Sequence, residues 1–109
     1  MKSKGHTGAV GELAVSNYFL SAGFEVFRNV AQSGPADLTV WNTDTDNIIK
    51  VDVKSFNSPY TKKDGTYTTG AQPRLRSDDN VWVVTFVHED SSVRLPEGLW
   101  EALGIDQPE

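Results

Sequence analysis

The period of the apolar positions changes several times along the chain, and each change marks an element. Over residues 7–22 no proline intervenes, and Val10, Leu13, Ala14, Tyr18 and Leu20 or Ser21 recur at helical spacing. This predicts an amphipathic helix packed through that stripe and stopped by Gly23. Residues 24–30 alternate with a β-branched and aromatic bias and predict a strand. Gln32-Ser33-Gly34-Pro35 is turn chemistry, after which residues 36–42 alternate again as a second strand. The polar run 43–47 reads as a hairpin loop and residues 48–54 as a third strand, antiparallel to the second. From Phe56 to Asn80 no periodicity survives, and a loop that long is expected to be functional or mobile. Within it Lys63-Asp64-Gly65-Thr66, between Tyr60 and Tyr67, predicts a small protruding hairpin. Residues 81–87 are almost continuously apolar, as a central strand covered on both faces would be. Leu95-Pro96-Glu97-Gly98 then opens a short helix through Leu99, Trp100 and Leu103, with Gly104 as its stop.

A chain of 109 residues builds one core, so residues 1–109 are read as a single domain with an arm at about 56–80. No apolar run approaches the roughly 20 residues of a membrane helix, and the first six residues lead into no signal-peptide stretch. A soluble, cytoplasmic protein without a membrane partner is expected. The absence of cysteine excludes disulfides, thiolate zinc sites and cysteine nucleophiles. A net charge of -5 speaks at first against a nucleic-acid partner. Its distribution weakens that objection: residues 1–76 carry nine Lys and Arg against seven acids, whereas residues 77–109 carry Arg94 against eight.

Residues two apart on a strand share a face, so Lys50, Asp52 and Lys54 project together while Ile49, Val51 and Val53 pack on the other side. Asp37 stands at the mouth of the neighbouring strand, and counting back from the 43–47 loop brings it opposite the Asp52–Lys54 end. Two carboxylates and an ammonium then converge, and hard oxygen donors of this kind suit Mg²⁺ or Mn²⁺. Taken singly, each has an ordinary alternative: an ion pair on a solvated strand face, a turn-exit aspartate, and, for Glu12, a first-turn acid favoured by the helix dipole. In the arm, Lys62, Lys63, Arg74 and Arg76 stand against Asp64 with tyrosines between, so cations could follow a phosphate backbone while rings stack on bases. The alternative is a solvated loop that is basic by chance. Lys4, His6 and Ser33 are weaker candidates for DNA contact at the site's mouth, and His88 reads as structural.

Lys4-Gly5, Gly11-Glu12-Leu13 opening a helix, Gly23-Phe24 with Val26 and Arg28, Asp37-Leu38 and Val51-Asp52-Val53-Lys54 together resemble the PD-(D/E)XK nuclease superfamily, most closely its Holliday-junction-resolvase branch. The resemblance covers residues 4–55. It implies an α/β, restriction-endonuclease-like fold: a mixed β-sheet flanked by helices, in α-β-β-β-loop-β-α order. It further implies that Asp37 and Asp52 bind Mg²⁺ or Mn²⁺, with the backbone carbonyl of Val53 completing the shell. Lys54 would position or activate the attacking water, and Glu12 would act as the helix-borne acid, reaching metal directly or through water. Two positions depart from the pattern: Ala36 separates Pro35 from Asp37, and Asp52 stands where the resolvase branch usually has glutamate.

The function so implied is metal-dependent hydrolysis of phosphodiester bonds in branched or structured DNA, as in recombination and repair. A homodimer is expected, because a small core gains from an interface and paired incisions need two sites. Leu99, Trp100 and Leu103, or the arm's hairpin, would supply the contact. A sequence-specific homing or restriction-type enzyme, or a nicking enzyme, is the alternative on the same core. From other classes come a noncatalytic DNA-binding or adaptor module and, from the acidic last third alone, a DNA-mimicking inhibitor.

Overall fold

The computed structural model describes residues 4–31, 34–56 and 72–106. Its elements run α1 (Lys4–Ser21), β1 (Glu25–Arg28), β2 (Leu38–Asn42), β3 (Asn47–Phe56), β4 (Arg74–Arg76), β5 (Val81–Val87), β6 (Ser92–Arg94) and α2 (Leu99–Ala102). The strands form a mixed sheet in the order β1-β2-β3-β5, with β4 and β6 both on the outer edge of β5. β3 and β5 are parallel and the other pairs antiparallel. The α/β class, with a multi-stranded sheet flanked by helices, is as expected from the sequence. The predicted element order gains two three-residue strands, β4 inside the presumed loop and β6 after the central strand. Neither is long enough for an alternating pattern to reveal. The arm's predicted hairpin lies outside the described residues.

α1 ends where Gly23 takes a left-handed conformation (φ 98°), its N–H donating to Leu20 O and that of Phe24 to Phe19 O. The turn sends the chain directly into β1. The helix packs on the sheet through Gly11, Val15 and Phe19, which are buried, whereas Val10, Leu13 and Leu20 of the predicted stripe point outward. That corrects the sequence expectation, and the reason is Gly11. Without a side chain it lets α1 settle directly on β3, where an added methyl would overlap Ser55 Oγ and lie 3.1 Å from Ser55 Cβ. Because α1 carries apolar residues on both sides, spacing alone could not choose the buried one.

The core lies between this helix face and one face of the sheet: Leu38 and Val40 of β2, Ile49 and Val51 of β3, and Trp82, Val84 and Phe86 of β5. Every residue of β5 is buried, as predicted for a central strand. α2 closes the same layer, with Trp100 against Phe19 and Phe24 at ring separations of 6.2 and 6.0 Å. Its terminal carbonyls are taken by the β2–β3 hairpin: Asn42 Nδ2 and Thr45 Oγ1 donate to Leu103 O at 2.7 and 3.1 Å, and Asn47 Nδ2 donates to Ala102 O at 3.2 Å. Gly104 follows with φ 78°, as its predicted role as helix stop requires. Among the described residues no helix is long and apolar enough to cross a membrane.

Candidate active site

β2 and β3 pair from Asn42↔Asn47 to Leu38↔Val51, and the pairing continues by one residue because Asp37 N–H donates to Val51 O at 2.8 Å. Asp37 also accepts at its own carbonyl from Asn29 N–H at 2.8 Å, so its backbone is held between β1 and β3. The Asn29 side chain adds a 2.8 Å hydrogen bond to Ala36 O, fixing the chain just before the aspartate. Beyond this point β3 runs on without β2. Val53 N–H therefore points at the end of β2, where it donates to Asp37 Oδ2 at 2.7 Å. In an extended strand the carbonyl of the same residue faces the same edge, so Val53 O opens on the β2 side of β3 as well.

Asp52 projects from the opposite face of β3 to the core residues Val51 and Val53 and is largely buried. Its carboxylate lies within hydrogen-bonding reach of Asp37. Lys54 Nζ, on the same strand face, is 3.4 Å from Asp52 Oδ2, and Arg76 Nη1 is 3.2 Å from that same oxygen. Glu12, half-buried on α1, is close enough to act on Asp37 electrostatically, and the two border one open groove together with Gly8, Arg28 and Asn29. The fold thus brings Asp37, Asp52 and Lys54 together at one end of the sheet, with Glu12 of α1 near Asp37.

Burial pushes the Asp37 carboxyl up to about 6; the hydrogen bond with Asp52 adds to this, the Val53 N–H opposes it, and the charges of Asp52 and Glu12 add to it. Partial burial beside a second carboxylate favours the protonated form of Asp37. In the metal-free protein Asp37 holds its proton more tightly than in the unfolded chain, where the ordinary value is 3.8. Its stabilising contribution is therefore complete below that value and is lost as pH rises through about 6. The melting temperature of Asp37→Asn minus that of the wild type, both without divalent ions, should accordingly grow between about pH 4 and pH 7. A difference that stays flat across this range would show that the two carboxylates are not crowded.

Among the described residues no three His, Asp or Glu side chains gather tightly enough to enclose a metal by themselves. A Mg²⁺ site does not require that, since this ion keeps several waters and is held by one or two carboxylates plus substrate phosphates. Asp37, Asp52 and the Val53 carbonyl fit such a donor set. Of the other predicted contacts, Arg74 and His6 are exposed, while Ser33, Lys62, Lys63 and the side chain of Lys4 lie outside the described residues. Arg76, read from the sequence as an arm residue, instead reaches into the site. The two residues that sequence reasoning missed here are Asn29, as the anchor of the turn, and Arg76, as a partner of Asp52. Neither leaves a local signal, because both act across strand pairings.

No protein-family model matches the sequence, and no curated protein matches it either. The fold is similar to the solved structure of a bacterial homing endonuclease, I-Ssp6803I, with a TM-score of 0.59 and 22% sequence identity. The match covers 85% of this chain and 64% of that one, so the chain spans just under two thirds of the neighbour's length. What the two share is a mixed sheet flanked by helices, an architecture found in an endonuclease.

Proposed function

We propose that the protein is a metal-dependent DNA endonuclease of the PD-(D/E)XK type. One observation carries this reading: Asp37 and Asp52, 15 positions apart in sequence, bring their carboxylates within hydrogen-bonding reach beside the ammonium of Lys54. In this reading Asp37, Asp52 and Val53 O hold Mg²⁺ or Mn²⁺, with Glu12 reaching it through water. The bound ion supplies polarisation of the scissile phosphate and a water ionised near neutral pH. Lys54, half-exposed and held beside Asp52, donates to the phosphate or to the attacking water and stabilises the charge that develops there. Val53 N–H fixes Asp37 through Oδ2, which would orient the carboxylate for holding the ion.

The sequence resemblance favours branched DNA, whereas the fold neighbour is a homing endonuclease, which favours a sequence-specific cut in duplex DNA. Incubation with labelled duplex, single-stranded, flap and four-way DNA and with a long natural duplex, each with and without Mg²⁺, separates the two. Cleavage only with the ion is expected. Cleavage of none of them in Mg²⁺ or Mn²⁺, with DNA still bound, would favour the noncatalytic module.

A homodimer remains part of the proposal, but its contact moves. Leu99 and Leu103 have no exposed surface and Trp100 is buried, so the large apolar side chains of α2 belong to the core. The outward face of α1 carries Val10, Leu13 and Leu20, each 42–58% exposed, and residues 5–21 hold a single formal charge, Glu12, so two such faces would not repel each other. Leu13→Glu should convert the dimer to monomer in light scattering without lowering the melting temperature of the monomer; a wild type that is already monomeric at micromolar concentration would remove the dimer from the proposal.

A further inference from the structure

The guanidinium of Arg76 has an unusual set of partners for a residue expected to face DNA. Arg76 lies on β4 opposite Val81 of β5, while Asp52 lies on β3 opposite Val83 of β5. Its side chain must therefore cross the whole of β5, about 10 Å at the usual strand spacing, to reach the carboxylate. It does so with all three guanidinium nitrogens engaged. Nη1 donates to Asp52 Oδ2 at 3.2 Å, Nη2 donates to Pro35 O at 2.6 Å, and Nη2 and Nε form a fork on Asp79 at 3.2 and 3.4 Å. Asp79 in turn sits in a tight turn whose own carbonyl accepts from Lys50 Nζ at 2.7 Å. The fork sets the direction of the guanidinium, and the Pro35 contact ties it to the turn that delivers Asp37.

We propose that Arg76 is the resident counter-ion of Asp52, a positioning residue that holds this carboxylate in place while no divalent ion is bound and that the ion must displace. This rests on the metal-dependent reading above. The physical reason is that Asp52 is largely buried, and a buried carboxylate facing a second one needs a cation. Lys54 alone is a weak provider, since it is half-exposed and 3.4 Å away, whereas the Arg76 side chain is about a quarter exposed and fixed by Asp79. A doubly charged ion held by Asp52 would share that carboxylate with the Arg76 guanidinium, and two cations on one carboxylate repel. The anchor on Asp79 lets the guanidinium yield without being lost from the site.

The test has a metal-free arm and a metal arm. Without divalent ions, Arg76→Met should lower the denaturation midpoint, and in an Asp52→Asn background the same substitution should cost clearly less, because its partner charge is gone. By calorimetry, Mg²⁺ or Mn²⁺ should bind Arg76→Met about tenfold more tightly than the wild type, with Arg76→Lys between them. Additive effects in the metal-free arm would overturn the counter-ion role. Coupling accompanied by equal or weaker ion binding in Arg76→Met would overturn the displacement and leave the metal site standing. Coupling with no ion binding to either protein would overturn both the displacement and the metal-dependent reading itself.

Discussion

Asp52→Asn is expected to abolish Mg²⁺-dependent cleavage, by a factor of roughly a thousand or more, while DNA affinity stays equal or rises. The substitution keeps the shape of the side chain and removes only its charge. Without that charge the proposed site loses one of its two directly ligating carboxylates, keeping Asp37, the carbonyl of Val53 and the water-mediated Glu12, so a divalent ion is held more weakly and is no longer neutralised as the reaction requires. Affinity for DNA should not suffer, because Asp52 contributes negative charge where phosphate would approach. Cleavage and gel-shift assays on one preparation measure both quantities, and a melting curve checks that the variant is folded. Retained cleavage by Asp52→Asn would sink the assignment of the site.

Gly11→Val should destabilise the protein by about 3 kcal/mol and reduce cleavage even in the fraction that remains folded. Even a methyl at this position overlaps the Ser55 hydroxyl and would already be in van der Waals contact with Phe86 Cβ at 3.7 Å. A branched side chain has no room there. The helix must then lift from β3, and Glu12, the next residue, moves away from Asp37. Urea denaturation measures the cost, and the milder Gly11→Ala should be recovered in large part by Ser55→Gly on the facing strand. If Gly11→Val proves as stable as the wild type, α1 does not lie on β3 as described.

Much of the site was legible because it is built from short-range geometry. Alternation put Asp52 and Lys54 on one face of β3, and the length of the 43–47 loop set the register that brings Asp37 to Val51 and Val53. Burial of the whole of β5 followed from a run that is apolar except at Thr85. The parts that escaped depend on contacts between distant segments. Which side of α1 faces inward is decided by the approach at Gly11, a packing fact that apolar spacing does not record. The partner of Asp52 is 24 residues away on a three-residue strand whose pairing with β5 has no sequence signature. The role of Leu99, Trp100 and Leu103 in the core, and not at a surface, depends on Asn42, Thr45 and Asn47 gripping the end of α2.

The placement of β4 and β6 end to end along β5 also governs how this chain meets its own kind. Among the described residues β4 and β6 are three residues long each, and β1, at the opposite border, is four. Such short borders recruit added strands poorly, so the chain should resist the runaway stacking to which long flat sheets are prone. Copies that associate would do so through side chains, and concentrated solutions should scatter light without acquiring the dye-binding signature of fibrils.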